Sequence, residues 1–344
     1  MKHTTILLIL AVAILSFGCA GAGTSPAADS KAPGRKIKIG FSMDTLKEER
    51  WQKDRDLFVK RAEELGAEVI VQSADGNDET QFNQAQALLL QGVDVLVVIP
   101  HNGDVAGAIV EAANKENVPV ISYDRLIRNS APQLYISFDN EKVGELQAKY
   151  LLDRAPKGNY ILIGGAPTDN NAKMLRVGQM QVLQPAIDRG DIKIVADQWA
   201  RDWLAEEALK HTENALTQNS NDVAAVVASN DSTAGGVVQA LLSKGLGGKV
   251  FVSGQDADLA ALQRVVAGTQ SMTVYKPVSQ LATRAAEAAV GLAKGEKPAT
   301  DKAVNNGRVD VPFIHLEPIP VDKDNVDATV IKDGYQQRDA VYKK

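Results

Sequence analysis

Residues 93–125 read VDVLVVIPHNGDVAGAIVEAANKENVPVISYDR. Two short apolar runs rich in β-branched residues, 93–99 and 118–123, flank a segment, 105–114, whose apolar residues recur at helical spacing. Runs of this kind are typical of strands that are buried on both faces and joined by a helix. The pattern therefore predicts a parallel β-α-β unit that ends at an Asp-Arg pair.

The same alternation extends in both directions along the chain. Further predicted strands lie at 37–43, 69–72, 160–163, 192–196, 223–228, 250–253 and 271–274, with helical patterns between them. The rhythm restarts after Phe138, so the second group of strands predicts a second sheet of the same kind. The expected fold class is α/β, with two doubly wound parallel-sheet lobes. Ligands of such sheets bind at the carboxyl ends of the strands, which here border the cleft between the lobes.

Length and charge narrow the function. The chain has 344 residues and a formal net charge of −5, from 38 basic and 43 acidic side chains. A chain of this length usually divides into two cores. Because the basic residues are scattered, no field of one sign is strong enough to hold nucleic acid. We expect a small ligand and no nucleic-acid partner.

The amino terminus is typical of an exported protein. An apolar run at residues 6–17 follows a short charged start, and it is too short to span a bilayer of roughly 30 Å. Cys19, the only cysteine, stands where a bacterial lipoprotein is cleaved and acylated. We predict a signal peptide at 1–18 and a lipid-anchored disordered tether at 19–35, rich in small residues. Cleavage a few residues later, without a lipid, is the alternative. Either places the protein in the periplasm or at the cell surface.

Polar side chains concentrate just past the predicted strands. A dry site for a monosaccharide needs oxygens that accept hydrogen bonds from its hydroxyls and Arg, Lys or amide groups that donate to them. The apolar faces of a sugar ring also pack against aromatic rings, for which Trp203 is the candidate. Residues of these types at strand ends are Asp44, Arg50, His101, Asn102, Asp124, Arg125, Asp169, Asn170, Asn171, Trp199, Trp203, Asn230, Asp231, Gln255, Asp256 and Lys276.

Several polar residues near the strand ends also have a simpler interpretation. Asn and Asp commonly cap a helix, and those that precede helical patterns are Asp104, Asn230, Asp231, Asp256 and Asp258. An adjacent Asp-Arg pair such as 124–125 is common on protein surfaces. Trp51 and Trp199 are interpreted as packing residues, and the strand-end His101 as a loop residue.

Enzyme signatures are not found in the sequence. It has no Gly-x-Ser-x-Gly elbow, Walker loop or His-Glu-x-x-His, and Gly164-Gly165 lacks the spacing of a dinucleotide fingerprint. Four scattered histidines and one cysteine offer no zinc cluster. The spacing of Asp256 and Asp258 suits a helix start as well as a glycosidase pair. We expect no enzyme activity, no catalytic residue, no metal and no cofactor.

Several of these segments resemble one family. ERWQKDR at 49–55, SYDR at 122–125, GQDAD at 254–258 and TVYKP at 273–277 are similar to segments of the D-xylose-binding proteins of bacterial ABC importers, which have the type I periplasmic binding protein fold. The similarity covers the chain from Lys36 to its end. SYDR and GQDAD are shared with ribose and glucose/galactose binders, so they indicate the fold and the ligand class. ERWQKDR is narrower and points to xylose.

The resemblance implies a mechanism and a domain organisation. A sugar is captured by lobe closure and delivered to an ABC-transporter permease by a monomeric protein. The chain crosses between the lobes three times, with one lobe at 36–138 plus 277–308 and the other at 139–276 plus 309–344. The sugar contacts that it implies are Arg50, Asp124, Arg125, Asn171, Trp203, Asn230, Asp256 and Lys276.

Three other functions use the same two-lobed fold. The ligand could be another pentose or a hexose, because discrimination depends on pocket shape. The protein could be a sugar-sensing module of a chemoreceptor or sensor kinase. A sugar-responsive repressor is disfavoured, since it needs an N-terminal helix-turn-helix where this chain has a signal and a tether.

Overall fold

Alternating strands and helices occupy the residues described by a computed structural model, which are 35–300 and 302–343. The predicted signal peptide, Cys19 and the tether up to residue 34 lie outside the described residues. The strands are β1 (Lys38–Met43), β2 (Glu68–Ser73), β3 (Val95–Val98), β4 (Val120–Tyr123), β5 (Leu134–Phe138), β6 (Gly158–Gly164), β7 (Ile192–Trp199), β8 (Ala225–Ala228), β9 (Phe251–Val252), β10 (Thr273–Tyr275), β11 (Lys302–Asn305), β12 (Asp310–Leu316) and β13 (Ile319–Val321).

The helices lie mostly between these strands. They are α1 (Glu49–Glu64), α2 (Asp78–Leu90), α3 (Gly107–Lys115), α4 (Asn140–Arg154), α5 (Asn170–Asp188), α6 (Ala205–Gln218), α7 (Asp231–Ser243), α8 (Leu259–Val266), α9 (Val278–Ala293) and α10 (Arg338–Val341). A 3-10 turn (Arg201–Trp203) precedes α6, and a π-helical turn (Asp327–Ile331) follows β13. Of the helices in the described residues, none has the length and apolar character needed to cross a membrane.

The first sheet has seven strands in the order β11-β12-β5-β4-β3-β1-β2. All its neighbours pair in parallel except β11, which is antiparallel to β12. β3 and β4 are buried along their whole length, which explains their unbroken apolar sequence. Phe41, Phe58 and Tyr123 pack together in the core between the sheet and α1, with the two phenylalanine centroids 4.6 Å apart.

The second sheet has four parallel strands in the order β7-β6-β8-β9. The strand expected at 271–274 is present as β10, but its expected place in the second sheet is wrong, because β10 pairs antiparallel with β13. β9 is only two residues long. The chain then turns at Asp256 and Ala257, both of which have positive φ. The segment after β9 is therefore not extended, and the parallel pairing with β8 does not continue. β10 still bonds to this segment, from Val274 N to Gly254 O.

The chain passes between the two lobes three times, after β5, after β10 and after β12. The expected placement of residues 309–316 in the second lobe is wrong. β12 pairs in parallel with β5, with Ile314 opposite Ile136. The reason is burial, since Ile314 and Leu316 belong to the core of the first sheet. The final segment joins the second lobe only from β13 onward.

Candidate ligand-binding site

Loops from the carboxyl ends of both sheets surround one cavity between the lobes. About 320 Å³ of space, part of it open to solvent, lies between these loops. All eight side chains implied by the family resemblance lie in its wall, and none is more than 7% exposed. The wall consists of Glu48, Arg50, Trp51, Asp124, Arg125, Asp169, Asn171, Trp203, Asn230, Gln255, Asp256 and Lys276.

Arg50 joins the two lobes from the first turn of α1. Its guanidinium lies 3.0 Å from Asp54, 2.9 Å from Asp124 and 3.4 Å from Asp256, which belongs to the second lobe. Burial alone would lower the pKa of Arg50, but attraction to Asp124, Asp54 and Asp256 raises it well above its ordinary value. The guanidinium therefore stays charged inside the cavity wall.

Asp124 lies between two cations. Its carboxylate is 2.9 Å from Arg50 and 4.0 Å from Lys276, whose ammonium is also 3.1 Å from Asp256. Burial tends to raise the pKa of Asp124, yet Arg50 and Lys276 hold it below its ordinary value. The carboxylate is thus ionised and able to accept hydrogen bonds from hydroxyls. Asp124 has a φ of 59°, a conformation that non-glycine residues adopt mainly at constrained sites.

Arg125 makes the second charged link between the lobes. It lies 2.6 Å from Asp44 in the first lobe and 2.8 Å from Asp169 in the second. Burial raises the pKa of Asp169, and the nearby Arg125 offsets this only in part. The Asp124-Arg125 pair is buried, so its interpretation as a surface pair is wrong.

Two tryptophans form apolar parts of the wall. The Arg50 and Arg125 guanidiniums lie over the Trp51 ring, 4.1 and 5.1 Å from its centroid. Trp203 sits at the end of the 3-10 turn with a φ of 58°. A Cβ on Gly165 would come within 2.1 Å of the Trp203 ring, so only glycine lets this ring lie on the strand end.

Amide side chains complete the wall. Asn171 Nδ2 donates to the carboxylate and to the backbone oxygen of Asp124, each at 3.1 Å. Among the described residues, Asn171 Oδ1 and Gln255 Oε1 are buried without a hydrogen-bond partner. Buried polar atoms are rarely left unpaired. These two oxygens are therefore suited to accept hydrogen bonds from a bound hydroxyl compound.

Asn230 is both a helix cap and a residue of the cavity wall. Its side chain accepts a hydrogen bond from Thr233 N at 2.9 Å and caps α7. It also lines the cavity. Asp256, by contrast, caps no helix, since α8 begins only at Leu259.

A family model described as a periplasmic binding protein domain matches residues 39–297. This chain belongs to the periplasmic binding protein family. The D-xylose-binding periplasmic protein of Escherichia coli K12 is 56% identical over 337 residues, covering 98% of this chain and 99% of the relative. That of Haemophilus influenzae is 53% identical over 342 residues, covering 99% and 100%. The predicted resemblance is confirmed.

A solved structure supports the α/β fold class of this periplasmic binding protein. A carbohydrate transporter solute-binding protein from Chloroflexus aurantiacus, in complex with D-glucose, matches it with a TM-score of 0.83 at 32% identity. The match covers 89% of this chain and 98% of that one. The predicted fold class is confirmed.

Four cavity residues of this periplasmic binding protein are not among the eight carried over from the family. Asp169 and Gln255 follow strands, a signal that the sequence already offers. Trp51 lies one position after Arg50 and both packs in the core and lines the cavity, so its interpretation as a packing residue alone was incomplete. Glu48 has no such signal, because it is simply the residue before α1. Burial raises the pKa of Glu48.

Other side chains of this periplasmic binding protein lie outside the cavity wall and contact the residues and loops that form it. His101 Nδ1 lies 2.9 Å from Asp44. Gln147 of α4 donates to the backbone oxygens of Ser229 and Gly254, each at 3.0 Å, and so fixes two loops of the second lobe. Trp199 packs at Gly164, as expected. Within the described residues, no group of three or more His, Cys, Asp or Glu side chains is arranged to hold a metal ion.

Proposed function

We propose that this protein captures a monosaccharide, D-xylose in the first place, outside the cytoplasm and delivers it to the permease of an ABC importer. The observation that carries the proposal is the cavity wall, where carboxylates, buried cations and unpaired amide oxygens surround one space. The two relatives that are more than half identical over nearly the whole chain are named D-xylose-binding periplasmic proteins.

The proposed roles follow from hydrogen-bonding chemistry. Arg50, Arg125 and Lys276 donate to sugar hydroxyl oxygens, while Asp124 and Asp256 accept from sugar hydroxyls. Charged partners make stronger hydrogen bonds than neutral ones. Asn171 and Asn230 contribute amide groups to the same sugar, and Trp203 packs against a C–H face of the ring.

Delivery depends on lobe closure. A sugar that contacts both lobes binds the closed form better than the open form and shifts the population toward it. A pentose has about ten non-hydrogen atoms, and a ceiling near 1.5 kcal/mol per atom leaves room for more than ~8 kcal/mol of binding, or sub-micromolar affinity. The closed, loaded form is the one that the permease would receive.

Calorimetric titration tests the ligand. The chain with Cys19→Ser is titrated with xylose, ribose, arabinose, glucose and galactose in one buffer. We expect sub-micromolar binding of xylose and at least tenfold weaker binding of the others. The second candidate is a hexose carrier, which is supported by the solved relative with bound D-glucose. Tightest binding of glucose would favour this candidate. Absence of binding with all five would overturn the proposal.

The protein should release the sugar chemically unaltered, since the proposed role is transport and not catalysis. Proton NMR of xylose after prolonged incubation with the protein checks this, and any new product would contradict it. Capture of the protein by its permease in membrane vesicles, in the presence of sugar only, separates a transport role from a sensory one.

Export and anchoring are part of the proposal. The named relatives are periplasmic, and Cys19 is the expected site of acylation. Incorporation of labelled palmitate into the wild type but not into Cys19→Ser would support the anchor, whereas equal labelling would contradict it. A monomer is expected in light scattering, with and without sugar.

A further inference from the structure

The lobes also touch at a place outside the cavity wall. Glu49 is the first residue of α1 in the first lobe. Its Oε2 accepts a hydrogen bond from Leu259 N at 2.8 Å, and its Oε1 accepts one from Gln336 Nε2 at 2.6 Å. Leu259 begins α8, and the turn with Gln336 packs beside α8 and α10, so both partners belong to the second lobe. One carboxylate therefore holds two segments of the opposite lobe.

Lys53, one helical turn further along α1, makes a parallel connection. Its ammonium lies 2.8 Å from Glu49 Oε1 and donates to the backbone oxygen of Tyr335 at 2.7 Å. It also lies 3.8 Å from the centroid of the Tyr335 ring. Two opposite charges on one face of α1 are thus both engaged by the second lobe.

The contact completes a helix start that the second lobe leaves open. The first N–H groups of a helix have no partner within the helix and need a cap. Within the described chain, Asp258, the residue before α8, makes no side-chain hydrogen bond to that helix start. Glu49 supplies the acceptor from the other lobe. If the lobes lay further apart, this bond would be exchanged for water, so the contact favours the arrangement in which the lobes meet.

The environment of Glu49 keeps it ionised. Its side chain is 33% exposed, and that of Lys53 is 28% exposed. Partial burial would raise the pKa of Glu49, but its bonds with Lys53, Gln336 and Leu259 lower it below the ordinary value. Charge-assisted hydrogen bonds of a half-buried group are stronger than neutral surface contacts.

We propose that Glu49 and Lys53 form a latch that sets how much of the protein is closed, and thereby its sugar affinity, without touching the sugar. The effect of the latch on sugar affinity rests on the proposed function. Its effect on the distance between the lobes is independent of any ligand. Glu49 and Lys53 are therefore positioning residues, because they act through the closed arrangement of the cavity wall.

The latch is tested by measuring the xylose affinity of four variants: Glu49→Ala, Glu49→Gln, Gln336→Ala and the Glu49→Ala/Gln336→Ala double variant. Glu49→Ala should weaken affinity about 5- to 30-fold, the equivalent of one or two typical net hydrogen bonds. Most of the change should appear as faster dissociation. Glu49→Gln keeps an acceptor for Leu259 N, so it should weaken xylose affinity less than Glu49→Ala. The order of preference among sugars should not change, since the cavity wall is intact.

The control and the double variant exclude a general effect on folding. Glu141→Ala removes an exposed acidic residue from the first turn of α4 and should leave affinity within twofold. The effects of Glu49→Ala and Gln336→Ala should be less than additive, because each breaks the same contact. Full additivity, or an affinity of Glu49→Ala within twofold of wild type, would overturn the latch.

Distances between spin labels give a readout that needs no sugar. Lys60→Cys in α1 and Lys210→Cys in α6 are positions on different lobes of the Cys19→Ser chain. Glu49→Ala should shift the distance distribution toward longer separations, both without sugar and at half-saturating xylose. If wild type binds none of the five sugars, the proposed function is wrong. The sugar-free distributions then decide the latch, and identical distributions for wild type and Glu49→Ala would overturn it.

Discussion

Trp203 donates a hydrogen bond from its indole Nε1 to the Asp169 carboxylate at 3.2 Å. Asp169 is also paired with Arg125, so the aromatic wall and the charged link between the lobes share one carboxylate. Asp169 is 2% exposed and has little access to replacement water. The position of the Trp203 ring is therefore coupled to the ion pair that joins the lobes.

Trp203→Phe should weaken xylose binding about tenfold or more, because it removes ring area and leaves Asp169 with one donor fewer. Trp199→Phe is the matched control, since Trp199 contacts Arg176 and lies outside the cavity wall. It should change affinity less than twofold. Calorimetry of both variants measures the effect, and equal affinities would contradict the role of Trp203.

Asp124→Asn should cost about 2–5 kcal/mol of xylose binding, because it leaves the buried Arg50 and Lys276 with one anion fewer. Asp153→Asn, which removes an exposed partner of Lys149, should have no measurable effect. Calorimetric dissociation constants measure both. Binding by Asp124→Asn at wild-type strength would show that Asp124 is not a sugar contact.

Gly165→Ala should reduce both xylose affinity, about tenfold, and the melting temperature, because the new Cβ overlaps the Trp203 ring. Gly235→Ala in α7 is the matched control. Its Cβ meets no atom closer than 3.5 Å, and alanine favours a helix over glycine by about 1 kcal/mol. Gly235→Ala should therefore keep or raise the melting temperature. If both variants behave alike, the packing of Trp203 on Gly165 is not required.

The melting temperature should fall as the pH rises from 5 to 8, and Asp231→Asn should reduce that fall. Burial raises the pKa of Asp231 to about 7, with Arg264 and Gln270 opposing it, from an ordinary value of 3.8. The folded protein therefore binds a proton that the unfolded chain releases near pH 4. This stabilisation is complete below that pH and is lost as the pH rises through 7. Burial raises the pKa of the neighbouring Asp258 in the same direction.

Thermal unfolding of wild type and Asp231→Asn at constant ionic strength measures this difference, which should amount to a few degrees. The substitution keeps the shape of the side chain, which accepts hydrogen bonds from Gln270 and Thr273 in the wild type. Parallel pH profiles for the two proteins would contradict the assignment.

Local patterns predicted most of the fold because they depend on neighbouring residues. The run at 118–123 became β4, and its complete burial explains its composition. β12 could not be placed in the same way, since its membership of the first sheet depends on pairing with β5, more than 170 residues earlier in the chain. No local signal separates that pairing from one in the other lobe.

The cavity wall shows the same limit. The family resemblance brought together Arg50, Asp124 and Asp256, which are distant in sequence and lie within one network of ion pairs. Glu48 was not predicted, because it follows no strand and is simply the residue before α1. Local preferences alone also misassigned Asp256, whose positive φ turns it away from a helix cap and toward Lys276.

All three tryptophans of the chain lie at or beside the cleft. Trp51 and Trp203 belong to the cavity wall, and Trp199 packs against the strand end at Gly164. The long-wavelength ultraviolet emission of the protein therefore originates from residues at or beside the cavity wall. Under the proposed function, sugar binding should change this emission, and the chain would then serve as a label-free sugar sensor.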